Sequence, residues 1–176
     1  AAGLWSGMFI DYIIALYIDG EAIFDLTMAM NGLLSGLVSI TAGCSVLQPW
    51  AAIVTGFVAG PVYILVSKGL IKLKIDDAVD AIPVHLANGI WGCIAVGLFA
   101  DPTLVQAAYG MKEGGLFYGY GGLLACELIG IVWISAWVFV TMYTLFRILS
   151  FFDLYRVSPE EEMVGLDKSK HGKAAY

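Results

Sequence analysis

The sequence predicts an all-α membrane protein, a polytopic bundle of five transmembrane helices, and three observations predict that class. The 176-residue chain is 60% hydrophobic and only 14% charged, whereas soluble domains carry about 25% charged residues. Its mean hydropathy is +0.83. Apolar runs long enough to cross a bilayer, about 20 residues, recur along the chain between short loops.

The five predicted spans cover residues 2–18, 25–43, 50–73, 77–100 and 115–152. Asp25 is a candidate N-cap of the second span, and Pro49 and Pro102 mark breaks between spans. The fifth run is too long for one crossing, since 115–152 would form a helix of about 57 Å against a core of about 30 Å. It either breaks at glycines 119, 121 and 122 or projects beyond the bilayer. The apolar run over 123–149 favours projection.

The charges predict the orientation of these spans. Three lysines, Lys68, Lys72 and Lys74, lie between spans three and four, and further basic residues lie at and beyond the end of span five. By the positive-inside rule this loop and the C-terminus are cytoplasmic. We therefore predict a multi-pass cell-membrane protein, with a transmembrane region over 1–152 and a cytoplasmic tail over 153–176. The nine basic residues are scattered, which argues against a nucleic-acid partner.

One histidine stands inside the fourth span. Residues 81–100 carry no formal charge, and His85 is their one ionisable group apart from the thiol of Cys93. A titratable side chain in a membrane span is costly and therefore marks a candidate functional site. A neutral imidazole both donates and accepts a hydrogen bond and titrates near neutral pH, which suits conduction or proton relay. The alternative is a buried histidine hydrogen-bonded to a neighbouring helix.

The other polar residues of the spans indicate no metal or cofactor chemistry. One membrane histidine cannot make a bis-histidine haem or a zinc site, and the three cysteines are widely and irregularly spaced. We expect no catalytic residues, no metal, no cofactor and no enzymatic activity, which disfavours a membrane oxidoreductase. Asp76, Asp77 and Asp80 precede span four, where carboxylates cap a helix and complement its dipole; alternatively they shape the inner mouth of a pore.

Small residues spaced four apart predict how the helices pack. Gly32 and Gly36 form such a pair in span two, and span three repeats it at Gly56 and Gly60. Pairs of this kind let helix backbones approach closely in lipid. In span four the ridge of His85, Gly89, Cys93 and Gly97 is expected to be buried against protein. Gly92 is assigned the same packing role.

Three ordered blocks carry a resemblance to a known family. They are Asn31-Gly32-Leu-Leu-Ser-Gly36 continuing to Cys44 and Pro49-Trp50; Asp76-Asp77-x-x-Asp80-x-x-x-Val84-His85-x-x-x-Gly89-Ile90-Trp91-Gly92; and Gly165-Leu166-Asp167-x-x-x-His171-Gly172-x-Ala174-Ala175-Tyr176. The chain resembles the C-terminal portion of the ammonium transporter (Amt/Mep/Rh) family. The resemblance implies eleven helices built on two inverted repeats, of which these are the last five, and a homotrimer with one pore per subunit. We expect the chain to be part of a longer protein.

The resemblance implies that ammonium or ammonia crosses the lipid bilayer past two pore histidines, of which His85 is one. Ala81 and Val84 would belong to the inner wall, with Thr41 either a polar contact or a packing residue. The tail residues Gly165, Leu166, Asp167, His171, Gly172 and Tyr176 would be regulatory, with a PII-type protein as a possible partner. Ala87 and Asn88 replace small residues often found after the histidine. The alternative function is a membrane ammonium sensor signalling through the tail; an aquaporin-like channel would need Asn-Pro-Ala boxes, which the sequence lacks.

Overall fold

The computed structural model describes residues 1–18 and 25–170, and their regular structure is helical. The α-helices are α1 (Ala2–Ile18), α2 (Leu26–Thr41), α3 (Pro49–Leu73), α4 (Asn88–Phe99), α5 (Pro102–Tyr109), α6 (Gly122–Phe151), α7 (Pro159–Val164) and α8 (Leu166–Ser169). A π-helical segment, Ile82–Ala87, leads into α4, and a short 3₁₀ turn, Leu116–Tyr118, precedes α6. Within the described residues the one β-bridge is isolated and joins Leu47 to Ala100. The predicted all-α class is confirmed.

The five predicted spans correspond to five apolar helices. Among the described residues, Pro49–Leu73, Ile82–Phe99 and Gly122–Phe151 are long and apolar enough to cross a membrane. The apolar helices Ala2–Tyr17 and Leu26–Thr41 are shorter. The chain divides into two compact units, Ala1–Ile131 and Val132–Tyr176.

Helices α1, α2 and α3 meet at their glycines. A Cβ added at Gly3 of α1 would lie 2.6 Å from the carbonyl oxygen of Gly32 and 3.0 Å from the Cα of Gly36, both on α2. A Cβ at Gly60 of α3 would overlap the backbone nitrogen of Gly7. The helix backbones are therefore in direct contact, as expected where small residues drive packing in lipid. Sequence reasoning found the glycine pairs of α2 and α3 but missed that of α1, although its two members are also four apart.

Contacts between side chains fix the relative directions of the helices. Asn31 of α2 lies level with Asp80, and Ser39 lies level with Asn88, so α2 and the fourth span run parallel. Helix α3 runs opposite to the fourth span. The phenol of Tyr63 donates to Asp80, whereas Trp91, further along the fourth span, donates its indole N–H to the carbonyl of Thr55, which comes earlier on α3. Helix α2, helix α3 and the fourth span thus alternate in direction, as consecutive membrane crossings do.

The fourth span begins later than predicted and begins as a π-helix. Asp80 has a left-handed backbone, with φ of 55°, which a continuous right-handed helix from residue 77 does not permit. The carboxylate of Asp77 instead accepts hydrogen bonds from the backbone N–H groups of Ala81 at 2.8 Å and Ile82 at 2.7 Å. Asp77 therefore caps the segment from outside it.

The connection before the last long helix contains a helix that the sequence analysis did not predict. Asp101 caps α5 by accepting from the N–H groups of Thr103 and Leu104. The hydroxyl of Thr103 and the amide of Gln48 also donate to its carboxylate, and they lower the pKa of Asp101 to about 2. Gly119 has φ of 88°, and α6 starts only at Gly122. The predicted break at the glycines is therefore present, but α6 still has 30 residues, or about 45 Å.

The second unit contains the end of α6 and two short helices. The hydroxyl of Ser158 accepts from the N–H of Glu161, whose carboxylate accepts from the N–H of Ser158, forming a capping box at the start of α7. Lys170 lies 2.6 Å from the carboxylate of Glu161 and lowers its pKa. Arg156 pairs with Glu162 at 3.4 Å.

Candidate functional site

His85 lies within the π-helical segment, on its exposed side. Pro83 and Val84, immediately before it, are buried. Val84 is only 2% exposed and packs with Tyr63 and Ile64 of α3. This anchoring turns the next residue outward, so the imidazole is exposed, on the side of the segment that the other helices of residues 1–131 leave uncovered. Among the described residues, no hydrogen bond to the imidazole is formed.

The ridge predicted from His85 through Gly97 is not packed along its length within this chain. A Cβ at Gly89 would meet no atom within 4 Å, whereas one at Gly97 would lie 2.7 Å from the Cα of Leu124. The buried row runs instead through Val84, Asn88 and Gly92. Gly89 and Gly97 are eight residues apart on α4, or about 80° around a helix of 3.6 residues per turn, so they do not share one face.

Asn88 joins the π-helical segment to α2. Its side chain is fully buried, at 0% exposure. The amide Nδ2 donates to the carbonyl of Pro83 at 2.9 Å, and the amide Oδ1 accepts from the hydroxyl of Ser39 at 3.1 Å. The backbone N–H of Asn88 donates to the carbonyl of His85. One turn later, a Cβ at Gly92 would lie 2.6 Å from the carbonyl oxygen of Ser39, so α2 and α4 are closest here.

A second polar cluster surrounds Asp80 at the start of the segment. The phenol of Tyr63 donates to Asp80 Oδ2 at 2.6 Å, and the hydroxyl of Ser67 donates to Oδ1 at 3.0 Å. The amide of Asn31 donates to the phenol oxygen of Tyr63 at 3.0 Å. The cluster ties α2 and α3 to the residue just before the π-helical segment. Asp76 is exposed.

The other residues predicted to line a pore differ from one another in position. Ala81 is exposed and Val84 is buried against α3. Thr41 is exposed, and its hydroxyl donates to the carbonyl of Leu37 at 2.8 Å within its own helix. Because Ser39 lies level with Asn88, Thr41 is further along the bundle than His85.

Sequence reasoning did not assign a contact to Asn88. The available signal was an amide side chain within the apolar run 81–100, because a polar group there needs a hydrogen-bond partner on a neighbouring helix. Residues 1–18 and 25–170 contain no group of three His, Cys, Asp or Glu side chains able to hold a metal ion.

The tail residues chosen from the sequence are only partly described. Gly165 has φ of 89° and separates α7 from α8, which begins at Leu166 and includes Asp167. His171, Gly172 and Tyr176 lie outside the described residues.

Comparison with known sequences decides the family. The model of the Ammonium Transporter Family matches residues 2–176. The chain belongs to this family. Its members are transporters rather than enzymes, in agreement with the absence of enzymatic activity predicted from the sequence.

Individual relatives agree with this membership. The chain is 47% identical over 157 residues to ammonium transporter 1 member 1 of Arabidopsis thaliana, covering 87% of this chain and 31% of the relative. The crystal structure of Mep2 from Saccharomyces cerevisiae aligns with a TM-score of 0.77 and 27% identity, covering 91% of this chain and 35% of Mep2. A structure titled Sensor Amt Protein aligns with a TM-score of 0.73 and 27% identity, over 96% of this chain and 40% of that protein. The chain therefore spans about a third of the length of these relatives.

Proposed function

We propose that the protein containing this chain moves ammonium or ammonia across the cell membrane through an apolar pore, and that His85 is one of two histidines lining that pore. One observation carries the proposal: the ionisable group of an otherwise uncharged span lies on the side that these helices leave uncovered. About two thirds of a relative's length lies outside the chain, enough to supply the opposite wall and the second histidine.

The physical reason for such a pore is the cost of desolvation. A bare ammonium ion loses its hydration in an apolar passage, which is strongly unfavourable for an unpaired charge. Release of a proton at the entrance removes most of that cost, because neutral ammonia is only a polar molecule. Potassium has no proton to release and is therefore excluded. The released proton goes to water or to a pore histidine, and a proton from the histidines or from water on the far side restores the ammonium ion.

His85 has the chemistry that this passage requires. Neutral ammonia both donates and accepts hydrogen bonds, and so does a neutral imidazole. With a pKa near neutrality in water, an imidazole is also able to take up or release a proton. We propose Ala81 as part of the wall on the same exposed side. Val84 supports the pore by packing against α3, and we propose Thr41, which is exposed, as a polar contact.

The remaining parts of the proposal concern the assembly and the tail. We propose a homotrimer in the cell membrane with residues 153–176 cytoplasmic and regulatory, contacting a neighbouring subunit or a PII-type protein. The capping box and the Glu161–Lys170 pair support a regulatory role, since they give the tail defined local structure. Loss of regulation, with transport retained, is expected when residues 160–176 are deleted.

A second candidate function is sensing. The similarity to the Sensor Amt Protein favours it, because a sensor would need the same ammonium site but would not carry sustained flux. Uptake measured over many turnovers separates the two functions.

The test uses the full-length protein in proteoliposomes. Wild type is expected to show sustained ammonium-driven current or uptake and to exclude potassium. His85→Ala is expected to lower the transport rate or admit potassium, whereas Leu86→Met, a conservative change at an exposed neighbour, should leave both unchanged. Wild-type rate and selectivity in His85→Ala would refute the pore role, and absence of sustained uptake by the wild type would favour the sensor.

A further inference from the structure

We propose that Asn88 is a positioning residue for His85: its side chain holds the π-helical segment in the form that presents the imidazole to the pore. This inference rests on the proposed function of His85.

The bonding geometry is the first argument. The side chain of Asn88 donates to the carbonyl of Pro83, five residues earlier, which is the separation that a π-helical backbone bond spans. The backbone N–H of the same residue donates to the carbonyl of His85. Asn88 therefore bonds to the backbone on both sides of Val84, within the stretch that sets the direction of the imidazole.

The second argument is that Asn88 is itself fixed. The hydroxyl of Ser39 donates to both its Oδ1, at 3.1 Å, and its backbone carbonyl, at 3.4 Å. The side chain is buried with both ends of its amide paired, so leaving either end unpaired would be costly. The close approach of Gly92 to Ser39 keeps α2 in place beside it. The amide of Asn88 thus links the π-helical segment to α2 and fixes its position there.

Replacing Asn88 by aspartate and by leucine distinguishes the contribution of the amide's donor from that of its acceptor. Asn88→Asp keeps the acceptor for Ser39 but, when ionised, has no donor for Pro83. When protonated it regains a donor, and burial favours the protonated form. Asn88→Leu has neither group at any pH. Neither Ser39 nor Pro83 is titratable, and His85 is the nearest titratable residue along the chain.

The experiment measures transport by the full-length protein per folded trimer across pH 5.5 to 8, as a ratio to wild type at each pH. Asn88→Leu is expected to transport about tenfold more slowly at every pH, the effect of a barrier change on the scale of one buried hydrogen bond. Asn88→Asp should be slower than wild type at high pH and recover toward the wild-type rate as pH falls. Ser39→Ala, which leaves the hydrogen bond from Asn88 to Pro83 intact, should lower the transport rate less than Asn88→Leu does.

Several results would overturn the inference. It fails if Asn88→Leu lowers only the yield of folded protein, with wild-type rate per trimer, or if the Asn88→Asp ratio does not depend on pH. It also fails if Asn88→Leu slows a His85→Ala transporter as much as it slows wild type, because the effect would then not act through His85. Wild-type transport by His85→Ala alone would instead refute the proposed function, so the two failures are distinguishable.

Discussion

Replacement of Gly60 by alanine tests whether glycine contacts hold the first three helices together. The new methyl group would overlap the backbone nitrogen of Gly7 and lie 2.9 Å from the carbonyl oxygen of Gly3. Non-bonded carbon atoms prefer separations of about 3.5–4.0 Å. Since the obstructing atoms are mainly backbone, α1 and α3 have to move apart, and they cannot relieve the contact by rotating a side chain.

The expected magnitude follows from two opposing effects. Overpacking costs typically about 1–3 kcal/mol, whereas replacing glycine by alanine inside a helix gains up to about 1 kcal/mol. Gly60→Ala should therefore lower the free energy of unfolding by roughly 1–2 kcal/mol. Gly69→Ala is the matched control on the same helix, because a Cβ there would meet no atom within 4 Å. It should be neutral or slightly stabilising.

The measurement is reversible unfolding of the purified full-length protein in detergent micelles. Both variants and wild type are compared under one set of conditions, and the difference between the two alanine variants is the decisive quantity. Equal stability of Gly60→Ala and Gly69→Ala would refute the view that backbone contact at Gly60 determines the packing of α1 on α3.

Two further predictions concern aspartates. Asp80→Ala leaves the buried phenol of Tyr63 and the hydroxyl of Ser67 without their acceptor and should lower the unfolding free energy by about 1–3 kcal/mol. Asp80→Asn, which keeps an oxygen acceptor and tolerates the left-handed backbone, should lose less in the same unfolding assay, and equal losses would contradict this account. The pKa of Asp101 is lowered to about 2, so its stabilisation of α5 is complete above the ordinary aspartate pKa of about 3.9 and is lost as pH falls toward about 2. Protection of the Thr103 and Leu104 amides from hydrogen exchange should fall across that range, and Asp101→Asn should show no such dependence.

The ends of the membrane helices followed from the sequence where local chemistry determines them. Asp25 caps α2 by accepting from the N–H groups of Thr27 and Met28. Pro49 begins α3, where its missing N–H costs nothing. These signals act within one turn of helix, so a single sequence is sufficient to read them.

The start of the fourth span could not be predicted because its cause is not local. Asp80 takes a left-handed backbone within a cluster formed with Asn31, Tyr63 and Ser67 from two other helices. Nothing in residues 77–87 alone distinguishes that arrangement from an ordinary capped α-helix. The ridge through His85 also departs from the prediction, because each step of four residues drifts by about 40° on an α-helix and because the segment that contains His85 is π-helical.

Burial of polar groups distinguishes the residues that support the candidate site from the residue that forms it. Tyr63 and Asn88 are almost completely buried, and each has hydrogen-bond partners on a neighbouring helix. In an apolar medium such pairing is required, because an unsatisfied polar group costs several kcal/mol. His85 differs, since the described residues provide no partner for its imidazole. The supporting groups are thus paired between helices, while the imidazole of His85 keeps its donor and acceptor available. That arrangement agrees with the proposal that His85 faces a pore, and it would be unfavourable for an imidazole facing lipid.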